Sequence, residues 1–207
     1  MADLIFYTNP MSRGQIVRWM LEEVGEPYET KIVDYAAMHD DAYRAVNPMM
    51  KVPAIVHNGK VVTECAGIIA YLADVFPNAG LAPRSEEKAD YYRWLFFAAG
   101  PIEQALTSKT MGFEPTAEQS RSVGFGDVGR TVKTLADHLA DRDYLCGSRF
   151  TAADVYVGSH VMWGMQFGTL PSLDSFVAYG ERLSARDAYK RGKAEDMRLI
   201  AEMQPAQ

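Results

Sequence analysis

Residues 51–72, KVPAIVHNGKVVTECAGIIAYL, constrain this chain more than any other stretch. A short apolar run, 54–57, opens just after Pro53, and proline is tolerated at the start of a strand because it has no N–H to give the ladder. Asn58-Gly59 suits a two-residue hairpin turn, so 54–57 and 60–63 are expected to pair. From Glu64 the apolar residues Ile68, Ile69, Leu72 and Phe76 recur at helical spacing until Pro77 stops them. The order strand, turn, strand, helix brings three unusual features together. The Val52-Pro53 bond can be cis and expose a backbone edge. Glu64 can receive an amine, and the first amides of the helix can receive a carboxylate. A site that takes both charged ends of an amino acid is a peptide-binding site.

The preceding residues supply the rest of a small α/β unit. LIFYT (4–8) reads as a buried strand. From Ser12, Ile16, Val17, Met20, Leu21 and Val24 form a helical stripe closed by Gly25. YETKIVD (28–34) reads as a second strand, and 36–47 is polar and poorly periodic. The breaker-rich PNAGLAP (77–83) reads as a linker. Beyond it the pattern is helical: 85–112 with a bend at Gly100-Pro101, 116–139, a helix from Thr151, and one or two more over 173–200. The expected organisation is an α/β domain over 1–77, a linker over 78–84 and an all-α domain over 85–207. Phe150-Thr151-Ala-Ala-Asp154-Val155 combines a capping box with a hydrophobic staple, and we read it as structural.

Composition excludes several classes. With 48% apolar and 23% charged residues the chain is an ordinary globular protein. A net charge of −6 argues against a nucleic-acid or anionic-membrane partner, which needs a basic face. Cys65 and Cys146 are far apart and in no metal or disulfide-framework spacing, so a reducing, cytoplasmic setting is expected and no metal site. The N-terminal MADLIFYTNP lacks the features of a signal peptide, and no apolar run is long enough to cross a bilayer.

Four motifs in order, YTNPMSR (7–13), NPMMKVPAI (47–55), TECAGIIAYL (63–72) and GSRFTAADV (147–155), resemble the cytosolic glutathione S-transferases of bacterial type over essentially the whole chain. The resemblance implies a thioredoxin-like N-terminal domain, an all-helical C-terminal domain, glutathione as co-substrate with no further cofactor, and a homodimer. It also implies roles for particular residues. Ser12 sits where serine-type transferases carry the hydroxyl that stabilises the glutathione thiolate, and it also fits a capping box with Gln15. Tyr7, at the end of the first strand, matches the tyrosine-type alternative, and Arg13 can aid the thiolate electrostatically. Val52, beside a cis Pro53, pairs with the cysteinyl backbone of glutathione. Glu64 takes the γ-glutamyl amine and the amides of Cys65 and Ala66 take its carboxylate. The family usually has serine at position 65, and a thiol is the weaker donor. Lys51, with His39 as a second candidate, is expected to bind the glycyl carboxylate. Met111, Phe113 and Trp163 are expected to line an acceptor pocket between the domains.

A free thiol with a pKa near 8.5 is only about 3% ionised at pH 7, and lowering it by two units takes about 2.7 kcal/mol. A hydrogen bond to a charged group supplies roughly 1.5–3 kcal/mol and a helix N-terminus roughly 0.3–1. The expected function is therefore a glutathione transferase of serine type, acting on a small hydrophobic electrophile such as an alkyl or aryl halide, an epoxide, an activated alkene or a peroxide. The alternatives are a non-catalytic binding or regulatory protein of the same fold, or a glutathione-dependent isomerase, dehalogenase or peroxidase.

Overall fold

The computed structural model of the protein describes residues 3–203. They form two compact units, 3–81 with 185–203, and 82–184. The helical half expected over 85–207 is shorter in the structure, where the segment from Ala185 belongs to the first unit.

The first unit is built on a four-stranded mixed sheet of order β2-β1-β3-β4. Strand β1 (Leu4–Thr8) pairs parallel with β2 (Glu29–Ile32) and antiparallel with β3 (Ala54–His57), which pairs antiparallel with β4 (Lys60–Thr63). The hairpin falls where Asn58-Gly59 demanded it, with positive φ of 50° and 74° at the two turn residues. Alternation along β1 buries Leu4, Phe6 and Thr8 on one face and leaves Ile5 and Tyr7 half-buried on the other. Helix α1 (Gly14–Val24) ends on Gly25 in the left-handed conformation, whose N–H returns to the Leu21 carbonyl. The polar stretch after β2 holds one turn of 3₁₀ helix (Ala37–His39) and a short helix α2 (Asp41–Arg44). Tyr7 packs with Val33, Met38 and Tyr43 in a small cluster of its own. Helix α3 is Cys65–Val75. This is the thioredoxin-like arrangement that the motifs implied.

The first unit is completed by the last described helix. That helix (α9 in chain order, Asp187–Met203) packs on α1. At the crossing Gly192 lies so close to α1 that a Cβ there would stand 3.4 Å from the Trp19 Cα. Arg18 of α1 and Asp196 of α9 form a buried ion pair at 2.6 Å, with Tyr28 and Thr30 also accepting from the guanidinium. Burial pushes the Asp196 carboxyl up to about 6, against the pull of Arg18. Arg186 closes the same seam with two bonds to Glu23, at 2.6 and 2.7 Å.

The second unit is all-α. Helix α4 (Lys88–Phe97) passes through one π-helical turn, Ala98–Ile102, into α5 (Glu103–Thr110), so the bend falls at Gly100-Pro101 as expected. The helix expected over 116–139 is shorter: α6 is Val128–Leu139. Ahead of it lie a reciprocal Thr116/Gln119 turn, a 3₁₀ turn (Gln119–Arg121) and Gly126 at φ 68°. Asp127 then caps the helix by accepting from the Arg130 N–H at 2.7 Å. Helices α7 (Ala152–Gln166) and α8 (Asp174–Ser184) complete the unit. The Thr151/Asp154 capping box is formed, and the fully buried Asp154 also accepts from the Leu145 N–H and the Tyr179 hydroxyl, each at 2.9 Å. Among the described residues no helix is long and apolar enough to cross a membrane.

Candidate functional site

The starts of α1 and α3 lie side by side. The Cys65 thiol, at the first position of α3, donates to the Arg13 carbonyl at 3.7 Å. Gly14 makes the approach to β1 possible, since a Cβ there would lie 1.9 Å from the Thr8 hydroxyl oxygen. Ser12 is half-buried in the loop before α1. Its hydroxyl oxygen accepts from the Gly14 N–H at 3.0 Å, and its hydrogen goes to the Asn9 carbonyl at 2.6 Å. The expected capping box does not form. Gln15 turns instead to the Pro10 carbonyl at 2.6 Å, the Ser12 N–H is used by the Asn9 carbonyl at 3.1 Å, and Arg13 is the residue at the cap.

Sequence reasoning passed over Asn9, which is fully buried. Its carboxamide donates to the Val33 carbonyl at 3.2 Å and accepts from the Met11 N–H at 2.9 Å. It thereby ties the Ser12 loop to the end of β2. Tyr35 adds a second tie through its hydroxyl to the Met11 carbonyl at 3.1 Å. Tyr7 packs on the same cluster as Tyr43 and Val52, its ring 5.9 Å from that of Tyr43 and under the Lys31 ammonium at 5.5 Å.

The Val52–Pro53 bond is cis. Val52 is half-buried and Lys51 exposed. The Lys51 carbonyl accepts from the Tyr43 hydroxyl at 2.6 Å and from the Asn47 side-chain amide at 2.7 Å. Burial pushes the Tyr43 hydroxyl up to about 12, so it stays a donor across the neutral range. His39 is exposed on the 3₁₀ turn, where its carbonyl accepts from Arg44 at 3.2 Å.

Glu64 stands at the cap of α3 with φ 65° and ψ 122°, a left-handed backbone that costs a non-glycine residue about 1–3 kcal/mol. Its carbonyl accepts from the Ile68 N–H at 2.8 Å, while the earlier amides of α3 lack intrahelical acceptors as at any helix start. An exposed carboxylate beside such amides suits an amine and a carboxylate carried on one carbon. Cys65 is 9% exposed, a packed side chain. The expected acceptor residues belong to the second unit: Met111 and Phe113 are exposed just past α5, and Trp163 is half-buried on α7.

Comparison with known proteins follows the same lines. Residues 11–75 match the glutathione S-transferase N-terminal domain family, and residues 116–163 the corresponding C-terminal domain family. "Glutathione S-transferase GST-4.5" of Xanthomonas campestris pv. campestris is 31% identical over 82% of this chain and 89% of its own. A glutathione transferase of Methylococcus capsulatus superposes with a TM-score of 0.76 at 27% identity, over 94% of this chain and 98% of that one. A sphingomonad glutathione S-transferase solved with glutathione gives 0.75 at 25% identity, over 93% and 98%. By these matches the chain is a member of the glutathione S-transferase family.

Proposed function

We propose that the chain binds glutathione in its first unit and that Ser12 stabilises the ionised thiol. The sulfur then forms a bond to an electrophilic carbon, the leaving group departs with its electron pair, and the thiol proton goes to solvent. The observation that carries the reading is the side-by-side arrangement of the starts of α1 and α3, with the Ser12 hydroxyl oxygen already fixed by the Gly14 N–H. The α3 amides and Glu64 suit the γ-glutamyl end, Val52 the cysteinyl backbone, and the exposed Lys51 the glycyl carboxylate. Two copies are expected to associate, and the acceptor is a small hydrophobic electrophile.

The energetics depend on where the Ser12 hydrogen points. A hydroxyl bond to a thiolate is worth roughly 1.5–3 kcal/mol, and surrendering the bond to the Asn9 carbonyl returns roughly 0.5–1.5. With roughly 0.3–1 kcal/mol from the helix start, the bound thiol should ionise about one to two units below its value in buffer. Ultraviolet titration of the bound thiolate tests this. Ionisation no earlier than in free glutathione would sink the reading.

One observation favours a second reading, glutathione binding without turnover: the Ser12 hydrogen is committed to the Asn9 carbonyl at 2.6 Å. Retention on immobilised glutathione with no turnover of an aryl halide, in wild type and Ser12→Ala alike, would support it.

A further inference from the structure

The Lys51 carbonyl accepts from two buried side chains, and nothing in the transferase reading uses them. Tyr43 and Asn47 lie four residues apart, and the Asn47 N–H bonds the Tyr43 carbonyl at 2.9 Å, so both side chains leave the same turn. Asn47 is only 3% exposed, and each of its polar groups is spent on one short loop. Its carbonyl accepts from the Met50 N–H at 2.8 Å, its side-chain oxygen from the Met49 N–H at 3.0 Å, and its side-chain amide donates to Lys51. Met50, at φ 54°, turns the chain back so that the Lys51 carbonyl meets that amide. The Tyr43 hydroxyl fills the other lone pair of the same oxygen at 2.6 Å.

Planarity of the peptide unit makes this clamp directional. The Lys51–Val52 bond is trans, so the Val52 N–H points opposite to the Lys51 carbonyl. Holding that carbonyl inward against Tyr43 and Asn47 holds the Val52 N–H outward.

We propose that Tyr43 and Asn47 are positioning residues that aim the Val52 N–H at the peptide ligand, so that they set glutathione affinity and leave thiol activation to the Ser12 loop. The proposal rests on the glutathione reading and deepens it. It separates two functions along the chain: the Asn9–Ser12 loop handles the sulfur, and the 43–52 loop handles the peptide backbone.

S-Methylglutathione is the probe, because it keeps the peptide and lacks an ionisable thiol. Calorimetric titration of wild type, Tyr43→Phe and Asn47→Ala is read beside steady-state kinetics with glutathione. Each variant should bind S-methylglutathione about three- to tenfold more weakly, the loss of one net hydrogen bond. KM for glutathione should rise in step, with kcat and the pH midpoint of the rate unchanged. A merely structural role would lower kcat with KM or move neither. Should Asn47→Ala fail to fold, the Val52 amide resonance of the wild type is followed through the same titration. Tyr43→Phe is followed beside it: a shift smaller in the variant supports the proposal, and an equal or absent shift overturns it. Wild type that ignores S-methylglutathione sinks the glutathione reading itself. Wild type that binds it alongside equally tight variants sinks only the clamp.

Discussion

The Ser12 hydroxyl is gripped by two backbone groups, one giving and one receiving, and a ligand sulfur would have to replace the Asn9 carbonyl. Ser12→Ala should therefore lower turnover about tenfold or more and raise the pH midpoint of the rate by about one unit. Tyr7→Phe keeps the ring that packs on Tyr43 and should change both little; steady-state rates over a pH series decide, and the opposite order would move the role to Tyr7. Gly14 holds the same hydroxyl through its N–H and sits close against β1. An added methyl meets the Thr8 oxygen, so Gly14→Ala should cost about 1–3 kcal/mol in urea unfolding and displace the start of α1. The residues legible in sequence were those whose chemical type points to a role, namely the Val52-Pro53 pair, the acid at 64 and the hydroxyl at 12. Asn9, Tyr43 and Asn47 were illegible because each bonds a distant backbone carbonyl or closes a loop, and neither property shows until the chain is folded.

At the level of elements, the second unit depends on two buried carboxylates at helix starts. Glu87, in the 3₁₀ turn before α4, bonds Arg149, which also donates to the Ala82 carbonyl at 2.8 Å. Arg149 holds the Glu87 carboxyl down, to about 2. A carboxyl lowered in the fold stabilises it above its unfolded value, near 4.5, and that stability fades as pH falls through about 2. Thermal melts between those pH values should fall more steeply for wild type than for Glu87→Gln, which should itself cost about 3 kcal/mol at neutral pH by removing the carboxylate that Arg149 pairs with. Asp154 takes two backbone N–H groups and two hydroxyls, so Asp154→Ala should cost about 3 kcal/mol or more in chemical denaturation. The Thr151 box and the Asn58-Gly59 hairpin were readable because their signals are local. The stretch 116–127 was misread because its apolar and polar residues tolerate a helical pattern, while Gly124, Gly126 and the cap at Asp127 delay the helix to Val128.

For the molecule as a whole, the consequential contact is α9 on α1. No sequence pattern says which partner a terminal amphipathic helix will choose, and here Arg18, buried in the first unit, selects Asp196. The guanidinium Nη2 already lacks a hydrogen-bond partner among the described residues. Asp196→Ala should therefore cost about 3–5 kcal/mol, and Asp196→Asn less, as read by urea unfolding. The first unit is thus discontinuous along the chain, opened by residues 3–81 and closed by 185–203. During translation a ribosome emits the sheet early and its closing helix only after the whole of 82–184 has emerged. Nascent chains arrested before Asp187 would hold Arg18 without its carboxylate, so protease resistance of the first unit should appear late in synthesis, after that of the second.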